Sequence, residues 1–163
     1  MLFIPPARLG GTSGWMPEMP NERMLAPDEI KQLPAFGIEV GVHGMDHQDM
    51  LGMTAEDLRR NVVEAREALV EITGRVPRSF AYPRGLIDAA AIRAVRDAGY
   101  AVAFSVKEPA GRYGITRIDI NSTDTERTFR MKTAPWWPYA AAIADNAPRV
   151  RAAAHRVVGY RKR

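Results

Sequence analysis

The stretch Gly37-Ile38-Glu39-Val40-Gly41-Val42-His43-Gly44-Met45-Asp46-His47 decides the fold of this chain of 163 residues. Its first half has the apolar pattern of a buried strand, and its second half places two histidines directly after that strand. A turn through Gly44 can bring both imidazoles to one ion. Two of the three histidines in the chain fall within these five residues, and this concentration needs an explanation. We interpret His43 and His47 as two ligands of a divalent metal in a hydrolase-type site.

An isolated His-x-x-x-His is more often a pair of solvated loop residues, or a core histidine that is bonded to a carbonyl. Two features favour the metal over that alternative here. The pair follows the end of a strand, and a second turn, Pro83-Arg84-Gly85, follows the next strand of the chain. In α/β folds with parallel strands, ligands bind at the carboxyl ends of the strands, so the two turns are expected to share one site.

Strand and helix patterns alternate on both sides of the opening stretch. The predicted strands cover residues 2–4, 38–42, 79–82, 100–106 and 117–120. The predicted helices cover residues 27–33, 54–72, 88–98, 123–133 and an alanine-rich segment that ends near residue 158. This βαβ alternation predicts an α/β fold with a parallel sheet.

The clearest helix prediction begins at Thr54, which is a good N-cap with Asp57 three residues later. Gly74 stands where a helix-terminating glycine belongs. Between them, apolar side chains recur at spacings of three and four residues and form one stripe: Leu58, Val62, Ala65, Leu69 and Ile72.

Composition excludes several classes of function. The chain has no cysteine, which rules out disulfides, thiolate nucleophiles and cysteine-bound zinc. No apolar run approaches the length of a membrane span. The N-terminal residues lack the basic segment of a signal peptide, so we expect a soluble protein and slightly favour the cytoplasm.

The net charge of +4 is concentrated at the C-terminus, where residues 131–163 carry seven basic residues and one acidic residue. We predict a catalytic domain over 1–130 and a basic helical extension over 131–163. A basic tail can bind nucleic acid or other polyanions, but a solvated end is the commoner case, and we expect no nucleic-acid partner.

Several of these pieces, in this order, resemble the polysaccharide deacetylases of carbohydrate esterase family 4. The strand with His43-Gly44-Met45-Asp46-His47 is similar to the second motif of the family. The segment Phe80-Ala81-Tyr82-Pro83-Arg84-Gly85 is similar to the third motif, in the branch that reads Phe-Ala-Tyr-Pro-x-Gly. The resemblance covers roughly residues 1–120 and implies a distorted (β/α) barrel, here lacking its first strand.

The resemblance also implies a function and a set of roles. The family removes acetyl groups from a poly- or oligosaccharide and uses a divalent ion, usually zinc, which His43 and His47 would bind. The backbone N–H of Arg84 would stabilise the oxyanion, Pro83 and Gly85 would set the turn, and Tyr82 would line the sugar groove.

This sequence departs from the family pattern in ways that affect catalysis. The family opens with Thr-Phe-Asp-Asp-Gly, which supplies the general base and the third metal ligand, and nothing here matches it. No Leu-x-His motif supplies a general acid, since the remaining histidine is His155 in the basic tail. Asp46 and Asp49 lie in the histidine loop, but Asp46 is better interpreted as a turn former that bonds its own backbone. The general base is therefore absent, the general acid is unassigned, and we expect weak or no activity from this chain alone.

Two other functions stay open. The chain can be a pseudoenzyme that binds metal or glycan without turnover, or an interaction module that acts through its basic tail. Trp136 and Trp137 fit a sugar-stacking platform, but a hydrophobic anchor for the C-terminal segment is the favoured interpretation. The sequence leaves the glycan, the N- or O-linkage of the acetyl group, the physiological metal and the oligomeric state undetermined.

Overall fold

The computed structural model describes residues 1–14, 16, 21–106, 110–137 and 139–141. The chain forms two compact units, Met1–Ile115 and the residues from Thr116 onward. The predicted division into 1–130 and 131–163 stays a prediction. In the described ranges no helix is both long and apolar enough to cross a membrane.

Five short strands form one sheet, and their order in space is their order along the chain. They are β1 Leu2–Ile4, β2 Val40–Val42, β3 Ser79–Ala81, β4 Val102–Ser105 and β5 Ile115–Thr116. The pairs β1–β2, β2–β3 and β3–β4 are parallel. The predicted α/β fold with a parallel sheet is therefore confirmed. Across the described residues the sheet is open rather than closed into a barrel, since closure of this type of sheet takes about eight strands.

The helices are α1 Pro27–Gln32, α2 Ala55–Arg59, α3 Ala65–Thr73, α4 Ala89–Asp97 and α5 Glu126–Lys132. A π-helical turn over Arg60–Glu64 joins α2 to α3, so that one continuous helix follows the histidine loop. It begins as predicted, because the Thr54 side chain accepts a hydrogen bond from the Asp57 N–H. It ends as predicted at Gly74, which has a φ of 67°.

The predicted strand over 117–120 is wrong. The strand in this region is β5, and residues 117–120 lie outside it. Ile118 and Ile120 are 36% and 42% exposed, so this segment lacks the buried apolar face of a strand that packs on a core. The predicted alanine-rich helix lies mostly outside the described residues.

The core of the first unit packs the helices against the sheet. Phe80 of β3 is fully buried and makes edge-to-face ring contacts with Tyr82 and Tyr100 at centroid distances of 5.2 and 5.3 Å. Val42 at the end of β2 pairs with Phe80 in register and is also fully buried. This rigid pair of strands delivers the two turns that follow them to the same edge of the sheet.

Candidate functional site

His43 leaves the end of β2 with its ring oriented by the neighbouring strand. Its backbone N–H donates to Ile4 O at 3.0 Å, which continues the pairing with β1. Its Nδ1 lies 2.6 Å from Ala81 O at the end of β3. Because a carbonyl oxygen can only accept, Nδ1 carries a proton, and in the neutral ring Nε2 is then the acceptor nitrogen. Histidines that bind metal through Nε2 usually hold their other N–H in this way.

His47 turns back toward His43 at the far end of the loop. Its φ of 66° is in the left-handed region, which a residue with a side chain seldom adopts. The two imidazole rings have centroids 4.8 Å apart and planes at 75°. Zinc–nitrogen bonds of about 2.0–2.1 Å at a tetrahedral ion place two imidazole centroids about 5 Å apart, so the pair fits a common ion in this respect.

The carboxylates of the loop do not complete a metal site. Among the residues that the structure describes, no three His, Asp or Glu side chains come together as metal ligands. Asp46 pairs instead with Arg60, Nη1 to Oδ2 at 3.1 Å, and its side chain is only 13% exposed. The prediction that Asp46 bonds its own backbone is wrong; Asp49 does so, accepting from the Leu51 N–H. A charged Arg within reach of Asp46 explains the difference.

The second turn lies directly beside the histidine loop. Arg84 has a φ of 55° and an exposed side chain, so the turn fixes its backbone and not its side chain. Gly85 follows at a φ of 70°, and a Cβ there would lie 2.2 Å from Val106 Cγ2. The turn therefore requires glycine at this position, as the motif predicts. The oxyanion role of the Arg84 N–H stays a prediction.

Tyr82 and Pro83 form the buried base of that turn. The Tyr82 side chain has no exposed surface, and its hydroxyl donates to Tyr113 O at 3.0 Å. Burial raises the pKa of the Tyr82 phenol above its usual value, so this hydroxyl stays protonated at neutral pH. The predicted contacts of Tyr82, Pro83 and Gly85 with a sugar remain predictions.

Asn61, a residue that the sequence patterns did not single out, holds the histidine loop from the side of the helix. Asn61 is 1% exposed, and its Oδ1 accepts from the Met45 N–H at 2.9 Å. The signal was available, because Asn61 stands three residues after Leu58 on the stripe that is otherwise apolar. A polar side chain on a buried helix face needs a partner, and the nearest loop provides one.

Other candidates do not join this site. Glu108, His155 and the basic residues from Arg149 onward lie outside the described residues. Asp119 belongs to the second unit, where its carbonyl accepts from Lys132 Nζ at 2.9 Å. Trp136 in the same unit is 53% exposed, and the centroids of its ring and the Trp137 ring are 6.0 Å apart. These values decide neither for a sugar-stacking platform nor for a hydrophobic anchor.

A cavity of about 240 Å³ opens at the opposite, amino-terminal ends of β2 and β3. Its lining includes Glu39, Val76 and Arg78 and contains no histidine. The candidate site therefore depends on the two turns at the carboxyl ends of the strands and not on this cavity.

Comparison with known proteins identifies the family. The family model for polysaccharide deacetylases matches residues 12–103, which is more than half of the chain and includes both turns. The chain belongs to the polysaccharide deacetylase family. Among curated proteins, none matches it.

Solved structures show the same fold. A polysaccharide deacetylase from Bacillus cereus is 26% identical with a TM-score of 0.60, and the match covers 68% of this chain and 37% of that one. IcaB from Ammonifex degensii is 20% identical with a TM-score of 0.62, covering 83% and 60%. The Streptococcus pyogenes deacetylase PplD, solved in complex with acetate, is 15% identical with a TM-score of 0.63, covering 69% and 52%. The chain thus spans less than two thirds of the length of each of them.

Proposed function

We propose that this chain supplies part of a metal-dependent deacetylase site that removes acetyl groups from a poly- or oligosaccharide. The observation that carries the proposal is the histidine pair: two imidazoles 4.8 Å apart, with the His43 ring fixed by Ala81 O. Membership of the deacetylase family supports the reaction class, and the carboxyl-terminal ends of the strands are the position expected for an α/β hydrolase site.

His43 and His47 would hold the divalent ion, which we propose to be zinc. When bound, such an ion polarises an acyl carbonyl and lowers the pKa of a water molecule. The chain itself would contribute three things. Ala81 O keeps His43 in one tautomer, the N–H of Arg84 faces a developing oxyanion, and Pro83 with Gly85 fixes the turn that presents this N–H.

A general base and a third ligand are not assigned among these residues. The sequence contains no two adjacent aspartates, whereas the family it belongs to is expected to use such a pair. We therefore propose that the 163 residues have weak or no activity by themselves. A second candidate function, metal or glycan binding without turnover, is favoured by the same observation.

Acetate release tests the proposal and separates the two candidates. We would compare the chain with a fusion that adds a βα unit bearing Thr-Phe-Asp-Asp-Gly ahead of Met1, both supplied with zinc. The substrates would be an N-acetylated chito-oligosaccharide and an O-acetylated xylan. The fusion is expected to release acetate faster than the chain by orders of magnitude, and only with His43 and His47 present.

A fusion that binds zinc and glycan but releases no acetate would favour the non-catalytic function. Full activity of the 163 residues unaided would contradict the proposed absence of a base. Equal activity of the His43→Ala, His47→Ala double variant and the parent fusion would remove the histidines from the site.

A further inference from the structure

The helix after the histidine loop contains an irregular turn beside that loop. Over Arg60–Glu64 the chain is π-helical, which adds one residue to a turn of the helix. Single turns of this kind are rare and occur frequently at functional sites. Here the turn carries two polar side chains that both contact the histidine loop, Arg60 and Asn61.

Asn61 makes its contacts at the middle of the loop. Its Oδ1 accepts from the Met45 N–H at 2.9 Å, and its Nδ2 donates to Asp57 O at 3.0 Å. A Cβ on Gly44 would lie 3.1 Å from Asn61 Oδ1, so the amide packs directly on the glycine. The side chain thus fixes Gly44 and Met45 from the helix side while its own orientation is set by Asp57.

Neighbouring groups hold the remaining backbone of the loop. The Met45 carbonyl accepts from the Ala7 N–H at 2.9 Å, and the Asp46 carbonyl accepts from Arg8 Nε at 3.0 Å. Arg60 binds the Asp46 carboxylate. Of these supports, Asn61 is the one that is buried, and it bonds the N–H nearest the centre of the loop.

The π-helical turn is itself held from its other side. The Tyr100 hydroxyl donates to Val62 O at 2.8 Å, and the Arg66 guanidinium lies 4.1 Å from the centre of the Tyr100 ring. A carbonyl in the irregular turn therefore has a fixed partner, which keeps Asn61 in place.

We propose that Asn61 is a positioning residue for the histidine pair. Its hydrogen bond to Met45 holds residues 43–47 in the conformation in which the two imidazoles face one ion. The claim about the ion rests on the proposed function, and the claim about the loop conformation does not. The hydrogen bonds of Asn61 go to other residues than the two histidines, and it acts through Gly44 and Met45.

Three measurements on metal-free protein test the loop claim. In the unmodified chain, a through-hydrogen-bond coupling between the Met45 N–H and the Asn61 side chain is expected by NMR. In Asn61→Leu, which loses the acceptor at similar volume, Met45 amide exchange should rise at least about tenfold. The nuclear Overhauser contacts between the two histidine rings should also be lost.

Zinc titration by calorimetry tests the claim about the ion. Loss of an outer partner of a metal ligand typically lowers affinity by about 10–100-fold, and this is the expected effect of Asn61→Leu. Asn61→Asp keeps an oxygen that can accept from the Met45 N–H but loses the Nδ2 donor to Asp57 O, so it should retain more Met45 protection than Asn61→Leu. Glu64→Gln, in the same turn, removes only the surface pair with Arg59 and should change neither quantity.

Unchanged Met45 exchange and ring contacts in folded Asn61→Leu would overturn the proposal. If that variant does not fold, absence of the Met45–Asn61 coupling in the unmodified chain would overturn it. If the unmodified chain binds no zinc, the claim that His43 and His47 alone hold the ion fails, and amide exchange with the ring contacts still decides the role of Asn61.

Discussion

The two turns at the carboxyl ends of β2 and β3 share a backbone feature and differ in how it is maintained. His47 in the first and Arg84 in the second are the non-glycine residues with positive φ in the described part of the chain. The first turn is held by hydrogen bonds from side chains on other elements, with Asn61, Arg60 and Arg8 bonding its atoms. Within the described residues, the second turn is held without side-chain hydrogen bonds from other elements, by the backbone hydrogen bonds from Gly85 N–H to Tyr82 O and from Val106 N–H to Gly85 O and by close packing of Gly85 on Val106.

The difference matches the group that each turn is proposed to present. Two imidazoles must keep a separation and an orientation, and directional hydrogen bonds specify both. A single backbone N–H needs only a fixed peptide plane, which backbone hydrogen bonds and close packing provide. A residue other than glycine with a left-handed φ costs conformational free energy, and it persists where the surrounding contacts fix its conformation.

Gly85→Ala should have the largest effect on stability and would test the packing of the second turn. The new Cβ would lie 2.2 Å from Val106 Cγ2 and 2.6 Å from its backbone N, at a φ of 70°. We expect a loss of about 3 kcal/mol or more in unfolding free energy, measured with urea. Gly74→Ala is the control, because its φ is 67° with no atom within 4 Å. Equal losses for the two variants would mean that packing does not hold this turn.

Gly44→Ala tests the contact between the two turns. A Cβ there would lie 3.1 Å from Asn61 Oδ1 and 3.2 Å from Pro83 Cγ, at a φ of 69°. We expect Gly44→Ala to lower the unfolding free energy by about 1–3 kcal/mol more than Gly52→Ala does. Gly52 is the control because it has a similar φ and no atom within 4 Å of a new Cβ. A Gly44→Ala variant as stable as Gly52→Ala would show that the turns do not press on each other.

Asp88 connects the segments that follow the two turns. Its carboxylate accepts from the N–H groups of Ala90 and Ala91 at the start of α4, and from Gly52 after the histidine loop. The hydrogen bonds from Ala91 and Gly52 hold the pKa of the Asp88 carboxyl below its usual value. Asp88→Ala should lower the unfolding free energy by about 1 kcal/mol at neutral pH.

The pH dependence has a definite sign. Because the pKa of Asp88 is lower in the folded state, its contribution is complete above the unfolded value of about 3.9 and is lost as pH falls through the folded value. The gap in unfolding free energy between the parent chain and Asp88→Ala should therefore close in acid. Asp97→Ala, at the exposed end of α4, is the control and should show no such gap; a gap that is constant with pH would contradict the account.

Arg84→Gly should have the smallest effect. Relief of the left-handed φ is worth about 1 kcal/mol and is offset by the greater freedom of glycine in the unfolded chain. We expect a change within about 1 kcal/mol by urea unfolding and unchanged zinc affinity, since the side chain is exposed. Arg93→Gly in the middle of α4 should instead lose about 1 kcal/mol. A large loss in Arg84→Gly would assign the side chain a structural role.

Sequence patterns predicted the parts of this molecule that depend on local signals. The histidine loop was located by its strand and by Gly44, and the helix by Thr54 and Gly74, because caps and periodicity are encoded within a few residues. Asp46 was misinterpreted, since its partner Arg60 lies fourteen positions away across a loop. Asn61 was missed although its place on the apolar stripe was a signal, because its partner Met45 lies sixteen positions away in the histidine loop. The predicted strand at 117–120 was wrong, because burial decides whether alternating isoleucines form a strand and the sequence does not report burial.

Zinc binding to the metal-free chain is the most direct test of the central claim, that His43 and His47 bind one ion. Calorimetry at neutral pH should show one zinc per chain, and either His43→Ala or His47→Ala should abolish it. His155→Ala is the matched control, a histidine removed elsewhere in the sequence, and should leave binding unchanged. Zinc bound with the same stoichiometry and affinity after both loop histidines are removed would contradict the account.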